Sequence, residues 1–191
     1  MQTTINTKVT FEGNGLHFGQ PVTVIVCPAP ANHGIVFRRM DVDAHMSDVP
    51  ALWNHVIVSP LNTRIESRVG TSVSTIEHIM AALAGCGLHN ALIEVTGPEI
   101  PILDGSAAQF VEGFLLAGIR RLNTPLRVIE VQKFVSVAVG DAKARLDPAD
   151  TLLIRFEIDF ADSAIGHQEK TLNMSNGAFV RELCNSRTFC R

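Results

Sequence analysis

One pattern occurs twice in this chain of 191 residues, and it restricts the fold more than any other feature. Residues 24–39, VIVCPAPANHGIVFRR, read as a strand, a turn with Pro and Ala, and a second strand rich in Phe and Arg. Residues 144–157, ARLDPADTLLIRFE, repeat that order. The repetition predicts an internal duplication, although two unrelated hairpins can share such a pattern. On this interpretation the first copy has strands followed by two helices, and the second copy has only residues 126–191.

The first predicted helix is STIEHIMAALAG, residues 74–85. Ser74 is a favoured N-cap, and Glu77 follows three residues later, where its carboxylate can reach back to the Ser74 N–H as in a capping box. An apolar face with helical spacing is formed by Ile76, Ile79, Met80 and Leu83. The pattern therefore predicts a capped helix with one face in the core.

The opposite face of this helix carries an acid and a histidine between small residues. Glu77 and His78 share it with Ala81 and Ala82, whereas a solvated face would carry Lys, Glu or Gln. We expect the pair to lie in a covered cleft. A neutral imidazole binds zinc, and a nearby carboxylate can take a proton from zinc-bound water. A cleft histidine is more often structural, however, and the two other protein ligands of a catalytic zinc cannot be identified from the pattern.

A second helix is predicted from about Ser106, after the buried strand NALIEVT (residues 90–96) and a loop with two prolines. Ser106 and Gln109 have capping-box spacing, and Gly118 is a suitable C-cap. Its predicted apolar face consists of Phe110, Val111, Phe114 and Leu115. Asp104 could be catalytic, but a turn at the start of this helix is the better interpretation.

Composition excludes several classes of function. The net charge is −3, so no basic surface indicates binding to nucleic acid or to an anionic membrane. The N-terminus has no signal-peptide pattern, and no apolar run is long enough to span a bilayer. The four cysteines include no C-x-x-C pair and are expected to be reduced thiols. These features predict a cytoplasmic protein.

The block from Ser74 to Val111, STIEHIMAALAGCGLHNALIEVTGPEIPILDGSAAQFV, closely resembles the signature of the UDP-3-O-acyl-N-acetylglucosamine deacetylases. GNGLHFG, PAPANHGIVFRR and SRTF are similar to further blocks of that family, in the same order. The family consists of cytoplasmic, monomeric zinc amidases of lipid A biosynthesis in Gram-negative bacteria. The resemblance implies an α+β fold of two similar domains, each layering helices on a sheet. We expect a first domain over residues 1–124 and an incomplete second domain over residues 125–191.

The resemblance also implies roles for five residues. His78 matches a zinc ligand, and Glu77 matches the general base that removes a proton from the attacking water. His17 matches a histidine of the substrate cleft. Thr188 matches a threonine that stabilises the oxyanion, and Phe189 matches a residue near the acyl-chain entrance. The substrate would be an acylated UDP-sugar, cleaved to acetate and a free amine.

One departure from the family pattern affects this expectation. The family's two other zinc ligands lie in an H-K-x-x-x-D block after SRTF, whereas this sequence ends at Arg191 and its last histidine, His167, does not begin such a block. The sequence therefore predicts a C-terminally truncated fragment that is inactive alone and exposes apolar surface. The alternative is a non-catalytic binding or regulatory module that keeps the first domain. Retention of the Glu77–His78 pair favours the enzyme fragment.

Overall fold

The computed structural model describes residues 1–187. These residues form two compact units: Met1–Leu126 with the described residues from Phe179 onward, and Arg127–Ala178. Many strands and few helices make up the chain, which confirms the α+β class expected from the sequence. Among the described residues, no helix is both long enough and apolar enough to cross a bilayer.

The first unit contains ten strands and two α-helices. In chain order they are β1 (Thr3–Ile5), β2 (Val9–Asn14), β3 (Pro21–Pro28), β4 (Ile35–Arg39), β5 (Asp48–Pro50), β6 (Val56–Ile57), β7 (Arg64–Glu66), β8 (Ser72–Val73), α1 (Glu77–Gly85), β9 (Ala91–Val95), α2 (Ala108–Ala117) and β10 (Ile119–Arg121). Short 3-10 helices span Ala44–Met46 and Trp53–His55, and a π-helical turn spans Phe179–Leu183.

The main sheet has the strand order β2-β3-β9-β4-β5. Only β4 and β9 are parallel, and the other neighbouring strands are antiparallel. The strands β6-β7-β8 form a second sheet, and β1 pairs with β10. In β3 the buried residues Val22, Val24 and Val26 alternate with more exposed ones, as expected for a strand with one face in the core.

The predicted strand–turn–strand of residues 24–39 is not a hairpin. Its two strands, β3 and β4, are separated by β9, which pairs antiparallel with β3 and parallel with β4. The parallel pairing requires a crossover connection, and α1 lies within it. The helix that carries Glu77 and His78 therefore lies in the crossover connection between β4 and β9.

Helix α2 covers the sheet through an aromatic cluster. The ring of Phe11 on β2 lies 4.8 Å from that of Phe110 and 5.8 Å from that of Phe114, both in edge-to-face arrangements. Such pairs contribute beyond the burial of their area. The predicted apolar face is confirmed for three of its residues, whereas Leu115 is 52% exposed. Gly118 ends the helix with φ of 76°, as predicted for a C-cap.

The predicted capping box at the start of α2 is wrong. The helix begins at Ala108 with Ala107 as N-cap and has no side-chain cap. The Ser106 hydroxyl donates to Asp104 Oδ1 at 2.8 Å and accepts the Ala108 N–H at 3.1 Å. The Ser106 N–H also donates to Asp104 Oδ1 at 3.1 Å, which confirms the turn role predicted for Asp104. Ser106 thus bonds to Asp104 in an Asx turn and does not form the predicted capping box.

The second unit contains two antiparallel hairpins. Its strands are β11 (Val135–Val139), β12 (Ala142–Leu146), β13 (Leu153–Asp159) and β14 (His167–Asn173), paired as β11-β12 and β13-β14. The repeat at residues 144–157 therefore joins strands of two different sheets. Ile154 and Phe156 are 41% and 60% exposed, which confirms the apolar surface predicted for TLLIRFEIDF.

Candidate functional site

Helix α1 begins two residues after a backbone reversal. Thr75 has φ of 56°, a left-handed conformation that is strained for a β-branched residue. Ile76 is the N-cap, and no side chain caps the helix. Ser74 instead pairs in parallel with Glu99, and its N–H donates to the carbonyl of Pro98 at 2.9 Å. The predicted Ser74–Glu77 capping box is therefore wrong, because Ser74 belongs to a β-bridge.

Because Glu77 takes no part in a capping box, its carboxylate has a different hydrogen-bond partner. Its Oε2 accepts the backbone N–H of Thr63 at 2.9 Å. The side chain is half-buried and lines an open groove of about 290 Å³ whose other walls are mostly apolar. The groove includes Trp53, Val56, Ile65 and Met80. The expected covered cleft is therefore an open groove, which Glu77 lines and His78 does not, and Met80 lines this groove rather than the closed core.

His78 follows on the next position of α1 and is half-buried. The face predicted for it is only partly correct, since Ala81 is half-buried but Ala82 is fully buried in the core. Within residues 1–187, no group of three or more His, Cys, Asp or Glu side chains is placed to hold a metal ion. Because catalytic zinc takes three protein ligands, the described residues do not by themselves fit a complete zinc site.

His17 lies in a short exposed loop between β2 and β3. The Gly15 N–H donates to the Gln20 carbonyl at 3.0 Å, and the Gly19 N–H donates to the Gly15 carbonyl at 3.1 Å. These bonds close the loop and place His17 and Phe18 at its tip, where both side chains are exposed. The backbone of the loop, rather than the side chains, attaches it to the rest of the unit.

The attachment point is Glu99, which is only 2% exposed. Its Oε1 accepts the His17 N–H at 3.0 Å and the Thr75 hydroxyl at 2.8 Å. Its Oε2 accepts the Phe18 N–H at 3.0 Å and the His17 N–H at 3.2 Å. Burial raises the pKa of Glu99, but the N–H groups of His17 and Phe18 and the Thr75 hydroxyl together bring that pKa below its ordinary value.

Glu99 was not found by sequence reasoning, which read GPEIP as a loop between two prolines. A single acid among apolar residues was the available signal, since a buried carboxylate must find donors. Gly15 is the matching feature: a Cβ at that position would overlap the Glu99 carboxylate. The glycine therefore lets the loop backbone close onto the acid.

The remaining predicted residues lie at the end of the chain. Thr188 and Phe189 fall outside the described residues. Arg187, just before them, donates to Asp104 Oδ2 at 3.3 Å. Hydrogen bonds from Ser106, together with Arg187, hold the pKa of Asp104 below its ordinary value despite some desolvation.

Comparison with known proteins identifies the family. The profile of the UDP-3-O-acyl N-acetylglycosamine deacetylases, LpxC, matches residues 2–191. The chain belongs to this family. The match covers nearly the whole chain, and it confirms the resemblance that the sequence blocks indicated.

Named relatives support the assignment over nearly the whole chain. A UDP-3-O-acyl-N-acetylglucosamine deacetylase of Anaeromyxobacter sp. is 43% identical over 99% of this chain and 61% of its own length. The enzyme of Pseudoalteromonas atlantica is 42% identical over 98% of the chain and 62% of its own length. The enzyme of Phenylobacterium zucineum is 43% identical over 98% of the chain and 64% of its own length. This deacetylase family member therefore spans about three-fifths of the relatives that it matches.

Proposed function

We propose that this chain carries the general base and one zinc ligand of an amidase that removes the N-acetyl group from UDP-3-O-acyl-N-acetylglucosamine. Glu77 is the base, and His78 is the ligand. One observation carries the proposal: a single buried carboxylate, Glu99, binds both the His17 loop and Thr75, two residues before the helix of Glu77 and His78. The names of the relatives supply the substrate.

The surroundings of Glu77 suit a general base. A base needs a fixed direction and reach to the proton that it accepts. The Thr63 N–H fixes the carboxylate at 2.9 Å, and the open groove gives solvent and substrate access to it. The mostly apolar groove walls also reduce the competing solvation of the carboxylate. Glu77 would accept the proton of the water that attacks the acetamide carbon, leaving acetate and the sugar amine as products.

The other proposed residues have more limited support. His17 lies at the tip of a loop that Glu99 fixes, so its imidazole can be presented to a substrate with little loss of backbone freedom. Zinc, when bound, would supply Lewis acidity, and His78 would be one of its ligands. Thr188 as oxyanion donor and Phe189 at the acyl-chain entrance rest on the resemblance alone. The cytoplasmic location, and the monomeric state expected of full-length family members, stay predictions.

A graft tests the proposal in a protein of full family length. This chain would replace the corresponding 188 aligned residues of the Phenylobacterium zucineum relative. We expect the graft to release acetate from UDP-3-O-acyl-N-acetylglucosamine, and Glu77→Gln to lower kcat by about 100-fold or more, as for loss of a general base. Glu112→Gln, at an exposed position of α2, is the matched control and should leave kcat unchanged.

Two results would contradict the proposal. The first is a folded graft with no turnover beside an active parental relative. The second is full activity of the Glu77→Gln graft, which would show that another group accepts the proton.

A further inference from the structure

Glu99 is a buried ionisable group to which the proposed chemistry assigns no part. Its carboxylate is 2% exposed, yet its pKa lies below the ordinary value, so it is a buried carboxylate ion at neutral pH. Burying such an ion is costly unless hydrogen bonds satisfy it. Here the donors come from two segments, the loop of His17 and Phe18 and the residue Thr75.

The backbone of Glu99 is fixed to the same place as its side chain. Ser74 pairs with Glu99, and the Ile100 N–H donates to the Ser74 carbonyl at 3.1 Å. The segment that enters α1 is therefore held on both sides, by the main chain of residues 98–100 at Ser74 and by the carboxylate at Thr75. Unlike the main chain of residues 98–100, the Glu99 carboxylate also accepts hydrogen bonds from the His17 loop.

The backbone conformation of Thr75 explains why contacts are needed to fix the segment that enters α1. A β-branched residue at φ of 56° is strained and persists only where its surroundings enforce it. The reversal at Thr75 sets the direction in which α1 leaves, and Glu77 and His78 are the first two residues of that helix. The 2.8 Å bond from the Thr75 hydroxyl to Glu99 is a contact that enforces the reversal.

We propose that Glu99 is a positioning residue that fixes the His17 loop and the start of the Glu77–His78 helix relative to one another through one buried carboxylate. This inference rests on the proposed function, because it assumes that the two segments act on one substrate. Glu99 does not touch the reacting atoms on this proposal and acts through the residues that it holds.

Glu99→Gln is the informative substitution, since it keeps the size of the side chain and removes one acceptor. With the amide nitrogen at the Oε2 position it faces the Phe18 N–H, and with the amide turned it faces the His17 N–H. Either orientation sets donor against donor. Thr75→Val and Thr75→Ser form a matched pair, because valine keeps the branched shape without the hydroxyl and serine keeps the hydroxyl.

Hydrogen exchange in the full chain separates positioning from general stability. We expect Glu99→Gln to speed exchange of the His17 and Phe18 amides at least 30-fold, while the Val24 and Ile93 amides in the main sheet change less than 3-fold. Thr75→Val should loosen the Glu77 and His78 amides, and Thr75→Ser should restore them. Equal acceleration at all of these amides, or none, would overturn the inference.

Kinetics of the graft provide the second readout. We expect Glu99→Gln to lower kcat at least 10-fold with less than a 3-fold change in KM, and Glu112→Gln to change neither. Unchanged kcat in an active graft would overturn the positioning role and leave the proposed function intact. An inactive wild-type graft would overturn the proposed function, and with it the catalytic meaning of any local exchange effect.

Discussion

The ring of Phe179 lies directly against Gly85, the last residue of α1, and a Cβ on residue 85 would overlap that ring. Phe179 begins the π-helical turn that ends at Leu183, and it is only 6% exposed. The carbonyl of Cys184 then accepts the N–H of Ala107, the N-cap of α2, at 3.1 Å. Gly85 therefore sets how closely the Phe179–Cys184 segment packs on the end of α1, the helix that carries Glu77 and His78, and beside the start of α2.

Gly85→Ala should displace Phe179 and loosen this segment. Overpacking a fitted contact costs about 1–3 kcal/mol, which exceeds the helix propensity gained at a helix end. We expect a lower free energy of unfolding in denaturant titrations. We also expect faster exchange of the Cys184 amide, which in the wild type donates to the Phe179 carbonyl at 2.8 Å. Gly85→Ala combined with Phe179→Leu should recover part of the loss, and the absence of any coupling would contradict the close contact.

Gly113 makes a second close approach, between α2 and β2. A Cβ there would lie 2.6 Å from Cζ of Phe11 and 3.1 Å from Cγ2 of Val9. Gly113→Ala should therefore destabilise the first unit by about 1–2 kcal/mol, although alanine in a free helix would stabilise it by about 1 kcal/mol. Thermal unfolding measures the change, with Glu112→Ala on the exposed face as control. A stabilised Gly113→Ala variant would show that the Phe11 ring moves away freely.

The apolar strands of the sheet were predictable, because short apolar runs rich in β-branched residues and bounded by turn residues favour strands. Val22–Val26 and residues 90–96 correspond to β3 and β9, and the predicted apolar face of Ile76, Ile79, Met80 and Leu83 is buried except for Met80. Short strands such as β6 and β8 have two residues each, too few for an alternating pattern to be read. The order of the strands was not predictable either, since the position of β9 between β3 and β4 depends on pairing between distant segments.

The candidate site was predictable where a resemblance named its residues and not where only tertiary structure brings residues together. Glu77 and His78 stand together in the sequence, whereas Glu99 is separated from His17 by 82 positions. Local propensity also misassigned Ser74 and Ser106, because both are good caps in isolation. In the folded chain a β-bridge holds Ser74, and an Asx turn holds Ser106.

The buried Glu99 carboxylate predicts a specific dependence of stability on pH. Its pKa in the folded protein is below the ordinary value of 4.5, so its contribution is present above that value and is lost as pH falls through the folded pKa. The free energy of unfolding of the wild type, measured in denaturant, should fall steeply below about pH 4.5. Glu99→Gln should be less stable at pH 7 by roughly 2 kcal/mol and should lose less on acidification. Parallel pH profiles of the two proteins would contradict this assignment.

Metal binding should distinguish this chain from the graft. On the proposed assignment His78 is one ligand of a zinc site that takes three protein ligands, and the described residues hold no group of three metal-ligating side chains, so the chain alone should retain well under one zinc per molecule after dialysis. The graft should retain about one zinc, and His78→Ala should weaken its binding at least tenfold. His167→Ala, at an exposed position of β14, is the control. Full zinc retention by the His78→Ala graft, measured by elemental analysis, would remove His78 from the ligand set.

Self-association is expected from the second unit. One face of the β11-β12 hairpin pairs Val135 with Leu146 and Val137 with Ala144, and Val135, Val137 and Leu146 are each more than half exposed. Exposed apolar area of this kind favours association. Val137→Thr with Phe156→Thr should keep the β-propensity of both strands and shift light scattering towards monomer, without changing the unfolding of the first unit. Ser136→Thr, on the opposite face, should have no such effect, and a wild-type chain that stays monomeric at high concentration would contradict the expectation.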